Sequence, residues 1–295
     1  MKVIPTIHAL RAELAAARGR ERTIGLVPTM GYLHEGHLTL AGRARRDNDV
    51  VVASIFVNPI QFGPGEDYES YPRDLDRDVS LLAAAGVDVV FAPPVREIYP
   101  TPPKTFVEVP HIGSLLEGAV RPAYFRGVAT VVSKLFNIVQ PTRAYFGEKD
   151  YQQVMVIRQM VADLSFPVEI VPVPTVRESD GLALSSRNVY LTPEERRASL
   201  RLSQALAEAQ AMVRRGVESP AALEAHLRRY IAEEPLARID LVAVRDADTI
   251  EETGDRLPGR VLVLLFVRFG KAQLLDHVVI DRGDPAAEGL RATGG

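Results

Sequence analysis

The sequence predicts an α/β fold in which a doubly wound parallel sheet is followed by a smaller α+β domain. Over about the first 175 residues, short runs rich in β-branched side chains alternate with helical patterns. One of these runs, residues 50–57, is almost continuously apolar, as expected of a strand covered on both faces. After Pro174 the order changes to helices followed by clustered strand patterns. We therefore predict one domain over residues 1–175 and a second over residues 176–295.

Strands and helices alternate in the predicted first domain. The predicted strands span residues 23–27, 50–57, 87–91, 144–146 and 168–173. The predicted helices span residues 38–46, 73–85, 127–139 and 151–163. Ligands of doubly wound sheets bind beyond the carboxyl ends of the strands, so the segments that follow these strands are where chemistry is expected.

The predicted second domain opens with a strong helix start. Thr192 suits the N-cap, Pro193 suits the first helical position, and two glutamates follow. The predicted helices span residues 192–215 and 220–233, and the predicted strands span residues 239–244, 261–268 and 272–280. Residues 282–295 are polar and glycine-rich, which favours a frayed tail.

Composition narrows the class of protein without indicating a reaction. The 295 residues carry 35 Lys and Arg against 38 Asp and Glu, a net charge of -3, with no long basic run, so no nucleic-acid partner is expected. The absence of cysteine excludes disulfides, thiolate zinc sites and a cysteine nucleophile. Neither a signal-peptide pattern nor an apolar run of about 18 residues occurs, so we expect a cytoplasmic protein with no membrane partner.

A His-Glu-Gly-His segment, residues 34–37, opens the helix that follows the first predicted strand. A strand, a glycine-containing turn and a helix N-terminus together favour a bound phosphate, because free backbone N–H groups and the helix dipole both attract anions. His34 and His37 would add donors aimed at the same anion. A zinc-protease motif is excluded, because its histidines are four residues apart and these are three apart. No P-loop or GxGxxG pattern occurs, and the alternative is a pair of surface or packing histidines.

Polar residues also follow two other predicted strands. Asn58 and Gln61 come after the second strand, where they would bind a polar substrate or simply form an Asn-Pro turn. In the segment 147–150, Lys149 would neutralise a phosphate, whereas Asp150 is equally suited to cap the next helix. Gln153 lies one helical turn beyond Asp150 and would project into the same pocket.

A fourth polar cluster, Ser185 to Asn188, lies at the predicted domain junction. Two hydroxyls beside an arginine would make an adaptable grip for an oxyanion, and a solvated linker is the alternative. The four clusters together indicate chemistry on a nucleoside triphosphate. They offer acid, base and cation roles but no covalent nucleophile.

Six segments of the chain resemble, in order, motifs of the pantoate–β-alanine ligase family, whose members are pantothenate synthetases. They read PTMGYLHEGH, SIFVNPIQFG, YPR, GVATVVSKLFNIV, FGEKDYQQ and TVRESDGLALSSRN. Six colinear segments are far more specific than any one of them. The resemblance implies a Rossmann-like domain of the HIGH-motif nucleotidyltransferase superfamily, a C-terminal lid domain that closes over the site, and a homodimer.

The resemblance also implies a two-step reaction that uses ATP as a substrate with Mg²⁺. Pantoate and ATP would give an enzyme-bound pantoyl adenylate and pyrophosphate. The amine of β-alanine would then attack the activated carbonyl to give pantothenate and AMP. Fixed donors would stabilise the negative charge that builds on the α-phosphate.

Site roles follow from the same resemblance. His37 matches the family's proton donor, and His34 and Lys149 are further candidate catalytic residues. Gln61 and Gln153 would bind pantoate, and Gln61 would also adjoin β-alanine. The implied ATP-binding residues are Met30, Gly31, Tyr32, Leu33, His34, Glu35, Gly36, His37, Gly147, Glu148, Lys149, Asp150, Val176, Leu184, Ser185, Ser186 and Arg187.

Two features are less closely tied to the family pattern. Residues 273–277 read QLLDH, where members often read close to RLIDN or RLLDN, and this difference concerns the C-terminal lid rather than the nucleotide motifs. The metal ligands are unknown. Asp76 and Asp78 are candidates, and phosphate oxygens with water are the alternative.

Two other functions compete with the ligase. A related nucleotidyltransferase that retains the nucleotide in its product shares the histidine motif, but Gln61 and the Ser-Ser-Arg-Asn segment favour the ligase. A non-catalytic nucleotide sensor is disfavoured, because binding alone does not need two histidines. A tRNA synthetase is disfavoured because the chain is short and carries no basic or anticodon-binding extension.

Overall fold

The structure, a computed structural model, describes residues 1–283 of the chain. From residue 284 onward, the predicted tail lies outside the described residues. The described chain divides into two compact units. The first comprises residues 1–114, 121–176 and 184–186, and the second comprises residues 115–120, 177–183 and the chain from 187 onward. None of the described helices is long and apolar enough to cross a membrane.

The first unit contains a six-stranded sheet in which all neighbouring strands are parallel. Its strands are β1 (Lys2–Ile4), β2 (Ile24–Thr29), β3 (Val50–Ile55), β4 (Val89–Phe91), β5 (Arg143–Gly147) and β6 (Glu169–Val173). Their order in the sheet is β1-β4-β3-β2-β5-β6. The chain winds from β2 through β3 to β4, and it then crosses to the other side of β2 as β5 and β6. The predicted doubly wound sheet is confirmed, and its switch point lies between β2 and β5.

Helices pack on both faces of this sheet. They are α1 (Ile7–Arg18), α2 (Glu35–Asp47), α3 (Leu75–Ala84), α4 (Val95–Ile98), α5 (Pro110–Gly113), α7 (Tyr124–Val139) and α8 (Tyr151–Asp163). One apolar cluster includes Leu10 and Phe136, and another includes Leu40 and Leu82. Because strands such as β2 are covered on both sides, they are buried almost end to end, as their apolar runs predict.

The sequence interpretation missed the first two elements of the chain. Strand β1 has only three residues, which is too short for a periodic pattern to show. Helix α1 is rich in alanine and arginine, and it buries only Leu10, Leu14 and Ala17. Its local signals are the Thr6 N-cap and the helical spacing of Leu10, Leu14 and Ala17, which the sequence interpretation overlooked.

The second unit contains an antiparallel sheet of three strands, β7 (Ala237–Asp246), β8 (Arg260–Phe269) and β9 (Ala272–Asp281), in that order. Its helices are α6 (Leu116–Val120), α9 (Pro193–Ala198), α10 (Arg201–Arg214) and α11 (Pro220–Ala232). Thr192 and Glu195 form a capping box at the start of α9, where the sequence predicts a helix start.

The prediction of one continuous helix over 192–215 is wrong. The helix is interrupted at Ser199–Leu200, between α9 and α10. The hydroxyl of Ser199 donates to the carbonyl of Arg196 at 2.8 Å, and such local bonds compete with regular helix geometry.

Candidate active site

Two of the predicted polar clusters meet at the switch point of the parallel sheet. Strands β2 and β5 are neighbours, with Leu26 opposite Ala144. The histidine segment follows β2 and the segment 147–150 follows β5, so both leave the carboxyl edge of the sheet side by side. Lys149 lies close enough to affect both histidines electrostatically. The structure therefore brings these two clusters together.

A tight turn connects β2 to α2. We call residues 30–37 the histidine turn. Gly31 and Tyr32 both have positive φ, 84° and 51°, a conformation that glycine adopts freely and tyrosine only at a cost. The N–H of Gly31 donates to Oγ1 of Thr29 at 3.2 Å. Because the backbone is strained here, contacts from elsewhere in the fold must hold the turn.

Asp78, on α3, supplies such contacts. Its two carboxylate oxygens accept hydrogen bonds from the backbone N–H groups of Tyr32 and Leu33, each at 2.7 Å. The side chain is buried, and burial raises the pKa of Asp78 while the two backbone donors act in the opposite direction.

These contacts bear on the two candidate magnesium ligands. The carboxylate of Asp78 is committed to the backbone of the histidine turn, which makes it a poor candidate for a metal ligand. Asp76 is exposed on the same helix. Among residues 1–283, no group of three or more His, Asp or Glu side chains is arranged to hold a metal ion.

The two histidines lie against each other at the start of α2. Their ring centroids are 4.1 Å apart. The N–H of His34 donates to Nδ1 of His37 at 3.3 Å. A Cβ atom on Gly36 would lie 2.9 Å from Cε1 of His34, so a side chain at residue 36 would displace the His34 ring. This arrangement does not fit surface histidines, whereas it is compatible with packing histidines, so the catalytic role of the pair remains a prediction.

Both imidazoles are neutral near pH 7. Burial, assisted by Lys149, lowers the pKa of His34 to about 4. Burial, His34 and Lys149 lower the pKa of His37 well below its usual value of 6.5. Since Nδ1 of His37 accepts a hydrogen bond, the single proton of the neutral ring lies on Nε2. His37 therefore offers a neutral Nε2–H donor.

The segment after β3 is joined to the histidine turn. Residues Pro59–Gln61 form a short 3-10 turn. Nδ2 of Asn58 donates to Oε1 of Gln61 at 3.1 Å, and Nε2 of Gln61 donates to Sδ of Met30 at 3.0 Å. The predicted Asn-Pro turn is confirmed. It also places the buried Gln61 amide against Met30, the first residue of the histidine turn.

Gly127 is a residue of this region that the sequence interpretation did not single out by itself. Its carbonyl accepts from Nδ2 of Asn58 at 3.0 Å. A Cβ atom at Gly127 would lie 2.5 Å from Cα of Gln61 and 2.6 Å from the carbonyl oxygen of Ile60. Helix α7 can therefore approach the Gln61 turn only because this residue lacks a side chain. The available signal was a glycine within a strongly apolar helix.

The segment after β5 carries Lys149 and Asp150. The Nζ atom of Lys149 is 3.4 Å from Oδ1 of Asp150. Asp150 occupies the N-cap position of α8, but its side chain makes no capping hydrogen bond. The predicted cap position of Asp150 is therefore confirmed, but its side chain does not provide the capping bond. Gln153 is half-buried one helical turn further along α8, and its proposed contact with pantoate remains a prediction.

The Ser-Ser-Arg segment reaches the histidine turn through Ser186. The Ser186 side chain is buried, and its hydroxyl donates to the carbonyl of Tyr32 at 3.2 Å. The N–H of Leu184 donates to the carbonyl of Val176 at 3.0 Å. A solvated linker does not fit these contacts. Arg187 falls in the second unit, so its place at the ATP site stays a prediction.

A cavity of about 260 Å³ lies beside the first residues of the histidine turn. Its wall includes Met30, Gly31, Phe56, Arg73 and Asp78. The residues predicted to bind pantoate and the two histidines are not among those that line it. We therefore do not assign a substrate to this cavity.

Comparison with known proteins connects this geometry to a family. The family model described as Pantoate-beta-alanine ligase matches residues 2–279. A pantothenate synthetase of Agrobacterium fabrum is 57% identical over 288 residues, which cover 98% of this chain and 99% of the relative. A pantothenate synthetase of Moorella thermoacetica is 56% identical over 284 residues, which cover 96% of this chain and all of the relative.

Solved structures show the same fold. The pantothenate synthetase of Thermus thermophilus is 51% identical, with a TM-score of 0.87, over 94% of this chain and 99% of that chain. A pantoate–β-alanine ligase of Francisella tularensis, solved in complex with β,γ-ATP and β-alanine, is 34% identical with a TM-score of 0.77. The match covers 95% of this chain and 97% of that one.

Proposed function

The chain belongs to the pantoate–β-alanine ligase family, and we propose how the residues at its switch point carry out that family's reaction. The reaction condenses pantoate with β-alanine to form pantothenate, and it converts ATP to AMP and pyrophosphate through a pantoyl adenylate. The observation that carries the proposal is the meeting of His34, His37 and Lys149 beside β2 and β5. A nucleotidyltransferase that retains the nucleotide in its product is not favoured.

The first step is the attack of a pantoate carboxylate oxygen on the α-phosphorus of ATP. The new P–O bond forms while the bond to pyrophosphate breaks, and pyrophosphate leaves. Negative charge builds on the transferring phosphoryl oxygens, where preorganised donors are most effective. We assign this task to the Nε2–H of His37, assisted by His34 and by the positive charge of Lys149.

His37 acts in this proposal as a hydrogen-bond donor in its neutral form. Its pKa is too low for an imidazolium to be abundant near pH 7. In this proposal the neutral Nε2–H of His37 fills the role that the family assigns to a proton donor. Its hydrogen bond becomes stronger as negative charge develops on the phosphoryl oxygens.

Gln61 and Gln153 are assigned to the acid substrate. Gln61 is buried and oriented by Asn58, so its amide is suited to hold the hydroxyl or carboxylate of pantoate. In the second step the neutral β-alanine amine attacks the adenylate carbonyl, the C–N bond forms as the C–O bond to AMP breaks, AMP leaves with the bonding electron pair, and the nitrogen releases one proton to water. We place the β-alanine site beside Gln61. Burial of the adenylate limits its loss to water.

ATP is assigned to the histidine turn and to three further groups of residues. These are Gly147 to Asp150, Val176, and Leu184 to Arg187. The contact of Ser186 with Tyr32 supports the placing of the Ser-Ser-Arg segment beside the turn. By analogy with its family, this segment holds the β- and γ-phosphates.

Magnesium is proposed as the companion of ATP. Because Asp78 is committed to backbone N–H groups, phosphate oxygens and water are expected to supply most of its ligands. When bound, the ion would neutralise phosphate charge. We further propose a cytoplasmic homodimer in which the first unit supplies most of the nucleotide and pantoate site and the second unit serves as the lid domain.

Pyrophosphate release tests the function directly. With ATP and pantoate alone, we expect a burst of about one pyrophosphate per site, because the adenylate remains bound. Adding β-alanine should give steady turnover with equal amounts of AMP and pantothenate. ATP turnover that ignores both compounds, or a product that keeps the nucleotide, would contradict the assignment.

A further inference from the structure

Asp78 touches the histidine turn, although neither step of the reaction uses it. We propose that Asp78 is a positioning residue that fixes the backbone of the histidine turn and, through it, the protonated nitrogen of His37. The proposal rests on the function assigned above to His37. In this proposal Asp78 does not touch the substrates, and its carboxylate acts on the protein backbone.

The contacts form a short chain from α3 to the reacting group. Asp78 accepts the N–H groups of Tyr32 and Leu33, each at 2.7 Å. The next N–H in the chain belongs to His34, and it donates to Nδ1 of His37 at 3.3 Å. If the backbone at residues 32–33 rotated, this donor would move away from Nδ1. His37 could then carry its proton on either nitrogen, and the Nε2–H donor would no longer be guaranteed.

A carboxylate suits this position better than its neutral isostere. Two N–H donors converge on one side chain, and an ionised carboxylate offers an acceptor oxygen to each. An asparagine would offer one oxygen and would turn its NH₂ group towards the second donor. Arg77 supports the charged form, because Nη1 lies 3.5 Å from Oδ1 of Asp78. The Arg77 guanidinium also lies over the ring of Tyr32, with 5.3 Å to the centroid.

The two hydrogen bonds to Asp78, which we call the clamp, hold a turn that has little freedom to relax. Gly31 and Tyr32 hold positive φ values, which the backbone adopts at a cost. A Cβ atom at Gly31 would lie 3.0 Å from Oδ2 of Asp78 and 3.0 Å from Cγ2 of Ile55. The turn is therefore packed between α3 and the end of β3. Both the hydrogen bonds and the absence of a side chain at residue 31 are needed for its shape.

The test is Asp78→Asn, with Asp255→Asn as the control at an exposed aspartate that has no assigned role. We expect Asp78→Asn to slow adenylate formation about a hundred-fold per folded molecule, because a displacement of about 1 Å at a reacting group costs a factor of that order. The Kd for ATP should change only a few-fold. In ¹⁵N spectra of the free enzyme, the His37 ring should shift from the Nε2–H form towards a mixture of the two neutral forms. Asp255→Asn should alter none of these measurements.

A second variant covers the case in which Asp78→Asn does not fold. Gly31→Ala leaves every carboxylate in place but disturbs the same turn, so it should show the same loss of rate and the same change at His37. Wild-type ¹⁵N signals and a wild-type rate in either folded variant would overturn the proposal. Recovery of Asp78→Asn at raised Mg²⁺ would also overturn it, because Asp78 would then be a metal ligand. A changed His37 spectrum with an undiminished rate would support the clamp and contradict the function assigned to His37.

Discussion

The two segments that flank the switch point are built differently. Asp78, Thr29 and Ser186 all hydrogen-bond to the histidine turn. In the segment after β5, the N–H of Glu148 bonds to the carbonyl of Val173 at 2.8 Å, while the Lys149 ammonium pairs with its neighbour Asp150. One side of the switch point thus presents fixed donors, and the other presents a point charge on a flexible stem. Fixed donors are what a developing oxyanion needs, whereas a point charge serves both binding and catalysis.

Among variants of the segment after β5, Lys149→Ala is expected to have the largest effect. Loss of the ammonium removes charge that attracts ATP in the ground state as well as in the transition state. We expect kcat/KM for ATP to fall about a hundred-fold, with a weaker Kd and a slower first step. Rapid-quench kinetics and calorimetry measure the two parts. Lys271→Ala, at an exposed position of the second unit, is the control, and normal first-step kinetics in Lys149→Ala would make Lys149 a surface lysine.

The next largest effect is expected where the histidine turn meets Gln61. Gly127→Ala would place a methyl group 2.5 Å from Cα of Gln61, so the helix and the turn must separate. We expect a loss of about 1 to 3 kcal/mol in the free energy of unfolding and a raised KM for pantoate. Urea unfolding and steady-state kinetics provide the measurements.

A glycine with free space gives the matched control for that variant. In α2 a Cβ atom at Gly42 would meet only Nη1 of Arg46, at 4.0 Å. Gly42→Ala should therefore raise the free energy of unfolding by about 0.5 to 1 kcal/mol. Equal effects of the two substitutions would show that Gly127 is not needed for close approach.

The depressed histidine pKa values predict how the histidine turn responds to acid. In the unfolded chain both imidazoles gain a proton as the pH falls through about 6.5, whereas in the folded chain the pKa of His34 is about 4 and that of His37 is also lowered. Between these values the unfolded chain binds more protons, so stability falls as the pH falls. The slope is at most about 1.4 kcal/mol per pH unit for each histidine. The histidines' contribution to stability is therefore fully present above pH 6.5.

Unfolding by urea at pH 7.5 and pH 5 checks this response. His34→Gln should lose less stability on acidification than the wild type, because one depressed group is gone. His8→Gln, at an exposed position, should behave as the wild type does. An identical acid response in all three proteins would contradict the account.

The smallest expected effect is a difference in the free energy of unfolding between substitutions of two aspartates that precede helices. The Asp74 side chain accepts from the N–H of Arg77 at 3.1 Å and caps α3. Asp74→Ala should lower the free energy of unfolding by about 1 kcal/mol. Asp150 makes no such bond, so Asp150→Ala should cost only a few tenths of a kcal/mol. A larger loss at Asp150 would mean that the segment after β5 is more tightly held than its contacts indicate.

Local patterns predicted most of the sheet and the four polar clusters. The apolar run that became β3 and the strand–turn–helix order around His34 are signals within a few residues. The short strand β1 carries no such signal, whereas α1 does carry one in its Thr6 cap and its spacing of buried residues, which was overlooked. The break at Ser199 was hidden because glutamate, arginine and alanine before it and arginine, leucine and alanine after it all favour helix.

The contacts that organise the site could not be predicted from the sequence. Asp78 is 45 and 46 residues from the two backbone groups that it holds, and Ser186 is 154 residues from Tyr32. In sequence Asp78 resembles any other acid in the first turns of a helix. The sequence alone does not distinguish an acid that holds a backbone turn from one that binds a metal. The reason for glycine at residue 127 likewise becomes visible only when the position of the Gln61 turn is known.

The most direct test of the site assignment is single-turnover pyrophosphate release by His37→Ala, with saturating ATP and pantoate at pH 7.5. Removing one preorganised donor to a developing oxyanion is expected to slow adenylate formation by about 10² to 10³, with little change in the Kd for ATP. A first step at the wild-type rate would contradict the claim that the neutral Nε2–H of His37 stabilises adenylyl transfer.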